Sequence, residues 1–259
     1  MKVVLFCGGL GTRVATGNGD LPKPMLRIGS RPILWHLMKY YACFGHKDFI
    51  LCLGHGADGI KDYFLHYDET VSNDFILSEG GRNVQLVSTD IDDWKIAFVN
   101  TGLQSSIGQR LKAVESYLDG EEYFLANYSD GLTDLNLNDY IDQMRAHGRI
   151  FSFLSVRPPL TMHVVSGNGN GSVTALTPMS DADVWINAGY FLCRHEVFDY
   201  LKEGEDLVDT AFPRLIAADQ LVAYRYKGFW MPLDTFRDKQ RLDDLAERRP
   251  APWEVWKCV

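Results

Sequence analysis

The chain has 259 residues, of which 46% are hydrophobic and 23% charged, and its formal net charge is −8. These are ordinary values for a globular protein with a full core. The negative charge argues against a general nucleic-acid or membrane-surface binder, which would need a basic face. Because the chain is acidic, we expect any phosphate ligand to be held by a few local cations. The length fits a single domain over residues 1–259.

Cysteine usage and the N-terminal segment predict where the protein works. The five cysteines stand far apart and form no Cys-x-x-Cys pair, which argues against a zinc site or a disulfide framework. The seven histidines show no ligand spacing, and we interpret them as structural. The N-terminus has no signal-like segment, and no apolar run approaches 18 residues. We therefore expect a cytoplasmic protein that binds no membrane.

The first stretch of the chain is a candidate phosphate loop. Residues 3–7 are apolar and predict a buried strand, which runs directly into Gly8 and Gly9. Backbone N–H groups of such a turn attract anions, and Arg13 and Lys23 add cationic donors. A dinucleotide fingerprint would need glycine at Val14, and the Gly-Lys-Ser/Thr of a P-loop is absent. The alternative is a glycine turn that only connects a strand to a helix.

Apolar periodicity predicts alternating strands and helices along the rest of the chain. That order favours right-handed βαβ units and a parallel sheet. Two short strands, 84–88 and 96–99, suggest a hairpin or an excursion from the sheet. Segments 162–166 and 172–176 flank a glycine-rich turn and predict an antiparallel pair. The other predicted strands are 49–53, 122–128, 150–156, 184–193 and 221–226, and the predicted helices are 33–44, 58–67, 106–118, 136–147, 195–201, 209–218 and 235–248.

Two aspartates are candidate metal ligands. Asp130 follows a predicted strand and precedes a glycine, and Asp234 ends an aromatic run before the last helix. Ligands gather at the carboxyl ends of parallel strands, and Mg²⁺ favours one or two carboxylates together with substrate phosphates. The two aspartates, the glycine turn, Arg13 and Lys23 thus indicate phosphoryl or nucleotidyl transfer. The alternatives are a turn aspartate at Asp130 and a helix N-cap at Asp234.

Two further polar residues have both a binding and a structural interpretation. Arg110 stands near the start of a predicted helix and could reach a phosphate or a base, or pair with surface acids. Asn187 interrupts an apolar strand and must find partners if it is buried, either in a sugar hydroxyl or in the backbone.

Together these motifs resemble the sugar-phosphate nucleotidyltransferases, and within them most closely the cytidylyltransferases of glucose-1-phosphate. The resemblance spans nearly the whole chain. It rests on the Gly-Gly-x-Gly-Thr-Arg loop and the following Pro-Lys-Pro, and on matching stretches at residues 8–13, 22–25, 32–36, 47–50, 100–102, 108–112, 128–131, 187–191, 228–235 and 251–253.

The resemblance implies a Rossmann-like α/β/α fold with a mixed, mainly parallel central sheet and a small antiparallel extension on the sugar side. It also implies a homo-oligomer in which a sugar-1-phosphate attacks the α-phosphorus of a nucleoside triphosphate and pyrophosphate leaves. Residues 1–135 would mainly bind the nucleotide and 136–259 the acceptor. The implied roles are catalysis by Arg13 and Lys23, Mg²⁺ binding by Asp130 and Asp234, nucleotide binding by Gly8, Gly9, Gly11, Thr12, Arg13, Thr101, Gly102, Gln109 and Arg110, and acceptor binding by Asn187 and Gly189.

The acceptor half departs from the family pattern. The family's Glu-Lys-Pro reads Leu176-Thr177-Pro178 here, so the lysine that meets the sugar phosphate is absent. Thr210 replaces an expected acidic residue, and residues 161–165 replace a small, glycine-containing segment. The preferred donor is CTP, with UTP, dTTP or GTP as alternatives, and the acceptor could be another sugar-1-phosphate or a phosphonate. A non-catalytic nucleotide-binding homologue and a nicotinamide-dependent oxidoreductase are the alternatives of other classes.

Overall fold

A seven-stranded sheet forms the centre of the structure. The computed structural model describes residues 1–9, 21–159, 162–179 and 181–257. The strands of the sheet are β1 (Val3–Phe6), β4 (Asp48–Leu53), β7 (Lys95–Asn100), β8 (Tyr123–Asn127), β10 (Phe151–Val156), β13 (Ile186–Arg194) and β14 (Leu221–Tyr226). Across the sheet they follow the order β14-β10-β13-β8-β1-β4-β7.

Strand β1 lies in the middle of the sheet and is apolar because both of its faces are buried. It pairs in parallel with β4 on one side and with β8 on the other. Val3 and Leu5 point into one hydrophobic core, whereas Val4 and Phe6 point into a second core on the opposite face. A strand buried on both faces reads as a continuous apolar run rather than an alternating one. The strand predicted at residues 3–7 is therefore confirmed.

A single antiparallel strand makes the sheet mixed. β13 runs antiparallel to both β8 and β10, while β10 pairs in parallel with β14. The carboxyl ends of the other six strands and the beginning of β13 consequently meet at one edge of the sheet. In open α/β sheets this edge is where ligands bind.

Helices cover both faces of the sheet. Helices α1 (Ile33–Cys43) and α4 (Leu137–His147) contribute to the core on the Val3 face of the sheet. Helices α3 (Ile107–Ala113) and α5 (Phe212–Ala217) contribute to the core on the Phe6 face. Among the described residues, no helix combines the length and the apolarity that crossing a bilayer requires. Two further helices are α2 (Ala57–Leu65) and α6 (Phe236–Ala246).

Four antiparallel pairs of short strands surround the sheet. The pair formed by β11 and β12 is the hairpin predicted around the glycine-rich turn, with His163 opposite Pro178. The α/β class, the mixed sheet and the antiparallel extension are all confirmed. The pairs are β2 (Arg27–Ile28) with β3 (Arg31–Pro32), β5 (Phe75–Ser78) with β6 (Asn83–Leu86), β9 (Gly131–Thr133) with β15 (Trp230–Pro232), and β11 (His163–Gly167) with β12 (Val173–Pro178).

The prediction for residues 84–99 was wrong in its second part. Segment 96–99 is neither half of a hairpin nor an excursion, because β7 extends the main sheet and pairs in parallel with β4. The hairpin is formed instead by β5 and β6. β7 is an edge strand whose side chains are mostly half-buried, so its sequence does not show the continuous apolar run of a central strand.

Three predicted helices are shorter or tighter than expected. The helix predicted at 106–118 ends at Ala113 and is followed by a 3-10 turn, Glu115–Leu118. Residues 195–199 form only a 3-10 turn. A π-helical turn, Leu207–Ala211, precedes α5, whose second residue is Pro213. Proline lacks the N–H of a regular helical bond and fits only near a helix start.

Candidate active site

Lys23 joins the two predicted metal ligands. Its Nζ lies 2.7 Å from Asp130 Oδ2 and 2.6 Å from Asp234 Oδ1, so one ammonium group bridges two carboxylates that are more than 100 residues apart in sequence. The Lys23 side chain is 17% exposed and that of Asp130 29%. Ion pairs of this kind, partly removed from water, are stronger than those on an open surface.

The pKa values of this group reflect its shared charge. Burial raises the pKa of Asp130 and Asp234 adds to the rise, whereas Lys23 opposes it; the net pKa lies above the usual aspartate value. Burial lowers the pKa of Lys23, but the two carboxylates outweigh it and the net pKa is raised. The ionised form of Asp130 is thus stabilised by the Lys23 ammonium.

A strained turn places Asp130. The preceding residue, Ser129, is buried and has a left-handed φ of +65°, which is uncommon for a residue other than glycine. Its N–H donates to Asn127 Oδ1 at 2.7 Å, and Asn127 Nδ2 donates to Tyr41 Oη at 3.2 Å. The side chain of Asn127 therefore holds the turn that carries the carboxylate.

The strand pair β9–β15 brings Asp234 to Asp130. Pro232 lies opposite Gly131, and Leu233 N donates to Asp130 O at 2.7 Å. The N-cap of α6 is Thr235 rather than Asp234, because the Thr235 hydroxyl accepts from Asp238 N. The alternative role of Asp234 as a helix cap is thus wrong, and its carboxylate serves the site instead.

Arg110 lies beneath the glycine loop and links three strand ends. Its guanidinium donates to Gly8 O at 2.9 Å, to Leu53 O at 3.2 Å and to Thr101 Oγ1 at 2.7 Å. A Cβ at Gly8 would lie only 2.2 Å from Arg110 Nη1, so the close approach requires glycine at this position. Arg110 is buried, and it holds the backbone at Gly8 in place through the Gly8 carbonyl.

Three other residues predicted to bind the nucleotide, Thr101, Gly102 and Gln109, lie near Arg110 in the sequence. Thr101 is buried and its hydroxyl donates to Leu53 O at 2.9 Å. Gly102 N donates to Asn100 Oδ1 at 3.2 Å. Gln109 Oε1 accepts from Ser106 N at 2.8 Å and completes the capping box that starts α3. In this arrangement Thr101 and Gln109 already have partners within the protein.

Asn187 and Gly189 lie on the neighbouring strand β13. Asn187 Oδ1 accepts from Gly189 N at 2.9 Å, and its Nδ2 donates to Tyr128 Oη at 3.4 Å. Gly189 has a φ of +77°, and a Cβ there would meet the ring of Tyr128 at 2.5 Å. The pair of residues thus sets the position of Tyr128 beside Asp130.

A cavity of about 430 Å³ lies between Lys23, Arg110 and Asp130, whereas Asp234, Thr101, Gly102, Gln109, Asn187 and Gly189 are not among its walls. It has the size of a small-molecule pocket. Sequence reasoning missed Tyr128, Ser106 and Asp206 among its walls, because a tyrosine after a strand and a helix cap carry no distinctive motif. Gly11, Thr12 and Arg13 lie outside the described residues. The cavity is lined by Phe6, Gly9, Lys23, Pro24, Ser105, Ser106, Ile107, Arg110, Tyr128, Asp130 and Asp206.

Comparison with solved structures agrees with the fold. A UDP-glucose pyrophosphorylase complexed with UDP-glucose superimposes with a TM-score of 0.69 over 96% of this chain and 98% of that chain, at 16% identity. A UDP-glucose pyrophosphorylase from Acinetobacter baumanii gives a TM-score of 0.68 over 99% and 97%, at 15% identity. These likenesses establish a nucleotidyltransferase fold.

Comparison of sequences gives the family, although no protein-family model matches the chain. The glucose-1-phosphate cytidylyltransferase of Salmonella typhimurium is 36% identical over 260 residues, which cover 99% of this chain and 100% of that protein. The probable glucose-1-phosphate cytidylyltransferase of Bacillus subtilis is 33% identical over 258 residues, again 99% and 100%. The chain therefore belongs to the sugar-phosphate nucleotidyltransferases, in the group of the glucose-1-phosphate cytidylyltransferases.

Proposed function

We propose that the chain transfers a cytidylyl group from CTP to a phosphorylated acceptor, releasing pyrophosphate with the help of Mg²⁺. The observation that carries this proposal is the bridge from Lys23 to Asp130 and Asp234 at the carboxyl edge of the sheet. The full-length identity of 36% to a glucose-1-phosphate cytidylyltransferase supports the nucleotide and the reaction class.

The two carboxylates fit a magnesium ion that is shared with substrate phosphates. The described residues contain no group of three or more histidine, cysteine, aspartate or glutamate side chains able to hold a metal by themselves. Asp130 and Asp234 converge on one cation, the Lys23 ammonium, which stands where positive charge is favoured. Two carboxylates plus phosphate oxygens match the preference of Mg²⁺. When bound, Mg²⁺ would neutralise charge on the triphosphate.

The chain's own groups then position the reactants. An acceptor phosphate oxygen forms a bond to the α-phosphorus of CTP while the bond from that phosphorus to the bridging oxygen breaks, and pyrophosphate departs with the electron pair. Lys23, and Arg13 as we propose, would balance the negative charge that develops. The backbone of Gly8 and Gly9, held by Arg110, would face the phosphates. Positioning and electrostatics account for most catalysis of this type.

The acceptor is proposed more broadly than glucose-1-phosphate. Asn187 Nδ2 donates to Tyr128 Oη at 3.4 Å, and Tyr128 lines the cavity beside Asp130, which supports a role of Asn187 in acceptor binding. The lysine expected near Pro178 is absent. A neutral residue there would weaken a phosphate contact that is normally charge-assisted, by about 1.5–3 kcal/mol. We therefore propose a phosphorylated acceptor whose remaining part differs from glucose.

The experiment is a pyrophosphate-release assay with Mg²⁺, each of CTP, UTP, dTTP and GTP, and a panel of phosphorylated acceptors. CTP should support the fastest release. Asp130→Asn should reduce turnover by more than about a hundredfold, because one of two carboxylates is lost. The matched control is Asp142→Asn on the exposed side of α4, which should leave turnover unchanged. Absence of release with every triphosphate would reject the enzymatic proposal, and full activity of Asp130→Asn would reject the metal role.

A further inference from the structure

Three cations gather at the carboxyl ends of β10 and β14, away from the metal ligands. Arg157 follows β10 directly, Arg225 is the penultimate residue of β14, and Lys227 follows β14; all three are exposed. The guanidinium carbons of Arg157 and Arg225 lie 5.6 Å and 5.0 Å from the ring centre of Trp185. One indole thus holds two arginines close together through cation–π contacts.

The sheet register places these arginines beside Asn187. Ser155 pairs with Arg225 on one side and with Asn187 on the other. Paired residues point to the same face of a sheet, and residues two apart along a strand share that face. Arg225 therefore lies on the face that carries Asn187, and Arg157 continues it at the strand end.

A second cavity lies beside two of the three cations. It measures about 290 Å³, and its walls include Arg157, Lys227 and Trp230. Trp230 Nε1 donates to Ala188 O at 3.1 Å, and the same nitrogen would lie 3.2 Å from a Cβ at Gly131. The indole of Trp230 thus stands between this cavity and the turn that follows Asp130.

The concentration of positive charge is unusual for this chain. Its net charge is −8, yet Arg157 and Arg225 share one indole, and Arg157 and Lys227 line one cavity. Asp183 accepts a hydrogen bond from Trp185 Nε1 at 2.8 Å and supplies one nearby negative charge. Exposed cations gathered at one edge of a sheet attract anions. Guanidinium groups are well suited to carboxylate and phosphate because they present paired N–H donors.

We infer that Arg157, Arg225 and Lys227 bind a second anionic group of the acceptor, at the end opposite the phosphate that reacts. This inference rests on the proposed function. β10 and β14 lie two and three strands from β8, which leads into Asp130, separations of roughly 10 and 14 Å. These separations suit an acceptor of hexose size with an anion at each end. Between Arg157 and Arg194 the chain has no lysine or arginine to anchor a simple sugar-1-phosphate. The substrate class is therefore a phosphorylated acceptor with a distal phosphate or carboxylate.

The test compares glucose-1-phosphate with glucose-1,6-bisphosphate and glucuronic acid 1-phosphate. Binding of each is measured by titration calorimetry in the presence of Mg²⁺ and a non-hydrolysable CTP analogue, and turnover is measured by pyrophosphate release. The wild-type protein should bind at least one of the two acceptors with a distal anion about tenfold more tightly than glucose-1-phosphate. The phosphate and carboxylate probes distinguish the two kinds of anion.

Arg225→Gln and Lys227→Gln should each weaken binding of the preferred distal anion by about fivefold and leave the affinity for glucose-1-phosphate unchanged. The matched control is Lys95→Gln, whose side chain is 79% exposed at the start of β7, far from the carboxyl edge. Equal affinity for all three acceptors, equal losses for all three in the variants, or no binding of any of them while the CTP analogue binds would overturn the inference. Failure of the CTP analogue itself to bind would instead reject the proposed function.

Discussion

The Lys23 ammonium occupies the space between Asp130 and Asp234, with Nζ 2.7 Å from one carboxylate and 2.6 Å from the other. A lysine and a divalent cation cannot share that position, because their charges repel and their ligands are the same. Binding of the proposed Mg²⁺ would therefore require Lys23 to move, and the proposed triphosphate would offer it a new anionic partner. We expect nucleotide and metal to bind together rather than metal first.

Removal of the lysine should make the metal site accessible without nucleotide. In Lys23→Met the two carboxylates lose their cation, so Mn²⁺ should bind about tenfold more tightly to the nucleotide-free protein, equivalent to ~1.4 kcal/mol. The titration is followed by electron paramagnetic resonance of free Mn²⁺. The same variant should lose most of its turnover, because the lysine also serves the phosphates.

A surface lysine provides the control for this experiment. Lys47 pairs with Asp93 at the surface, and Lys47→Met should leave Mn²⁺ affinity at the wild-type value. Equal Mn²⁺ affinity of the wild type and Lys23→Met would show that the ammonium does not compete with metal.

An alanine substitution at Gly8 tests whether the close approach of Arg110 requires glycine at this position. In Gly8→Ala the new Cβ would lie 2.2 Å from Arg110 Nη1, and the guanidinium would have to leave its hydrogen bonds to Gly8 and Thr101. We expect the free energy of unfolding to fall by about 1–3 kcal/mol. Denaturant unfolding measures it, and CTP affinity from titration should fall in parallel.

Gly9→Ala is the matched control for Gly8→Ala. A Cβ at Gly9 would meet nothing within 4 Å, so its stability should stay within about 0.5 kcal/mol of the wild type. Wild-type stability of Gly8→Ala would contradict the role of Arg110 as the support of the loop.

Local sequence patterns predicted the central strands well because strands buried on both faces are continuous apolar runs. The run Val3–Phe6 is buried on both faces, and a short, β-branched apolar run that leads into glycines favours a buried strand. β7 was placed incorrectly because it lies at the sheet edge and its burial is intermediate. The place of β7 in the sheet is decided by its pairing with β4, and this pairing joins residues that are distant in sequence.

The sequence predicted which residues belong to the candidate site but not which of them contact one another. Asp130 and Asp234 were expected to hold a cation, and the structure adds that Lys23 bridges them. Nothing in the local sequence indicates that Arg110 turns inward to the carbonyls of Gly8 and Leu53. Such contacts arise only after three strands have been set side by side, so a motif can identify the residue but not its partner.

The buried His36 should make the fold sensitive to acid. Its Nε2 lies 2.9 Å from Ile28 O, and its Nδ1 accepts from Trp253 Nε1 at 3.2 Å, an arrangement that suits the neutral ring. Burial lowers the pKa of His36 from 6.5 to about 4. The unfolded chain binds the proton first as pH falls, so stability is full above about pH 6.5 and declines towards pH 4, by up to roughly 3 kcal/mol.

His36→Gln tests this dependence by denaturant unfolding between pH 4.5 and 7. The variant should be less stable at pH 7 but should show a flatter decline than the wild type. Burial also lowers the pKa of His46 to about 4, so part of the slope should persist and should disappear only in the double variant with His46→Gln. An unchanged slope in the double variant would rule out both histidines as its source.

Asn127 should control catalysis without touching a substrate. Its Oδ1 holds Ser129 N at 2.7 Å, and this bond keeps the left-handed turn that aims Asp130 at Lys23. In Asn127→Ala the buried N–H of Ser129 and the hydroxyl of Tyr41 lose a partner, which should lower the free energy of unfolding by about 1–3 kcal/mol. The displaced carboxylate should lower kcat by more than about tenfold, since small misplacements of catalytic groups have large kinetic effects.

A purely structural role for Asn127 would give a different pattern. Ile50→Val truncates a buried side chain on β4 of the same sheet that does not line the cavity, and should lower stability by about 1 kcal/mol with kcat within about twofold of wild type. If Asn127→Ala lowers stability by a similar amount and leaves kcat unchanged, the side chain supports only the fold. A decrease in kcat with an unchanged KM for CTP would assign it to the positioning of Asp130, because the proposed nucleotide contacts near Arg110 and Thr101 would remain intact.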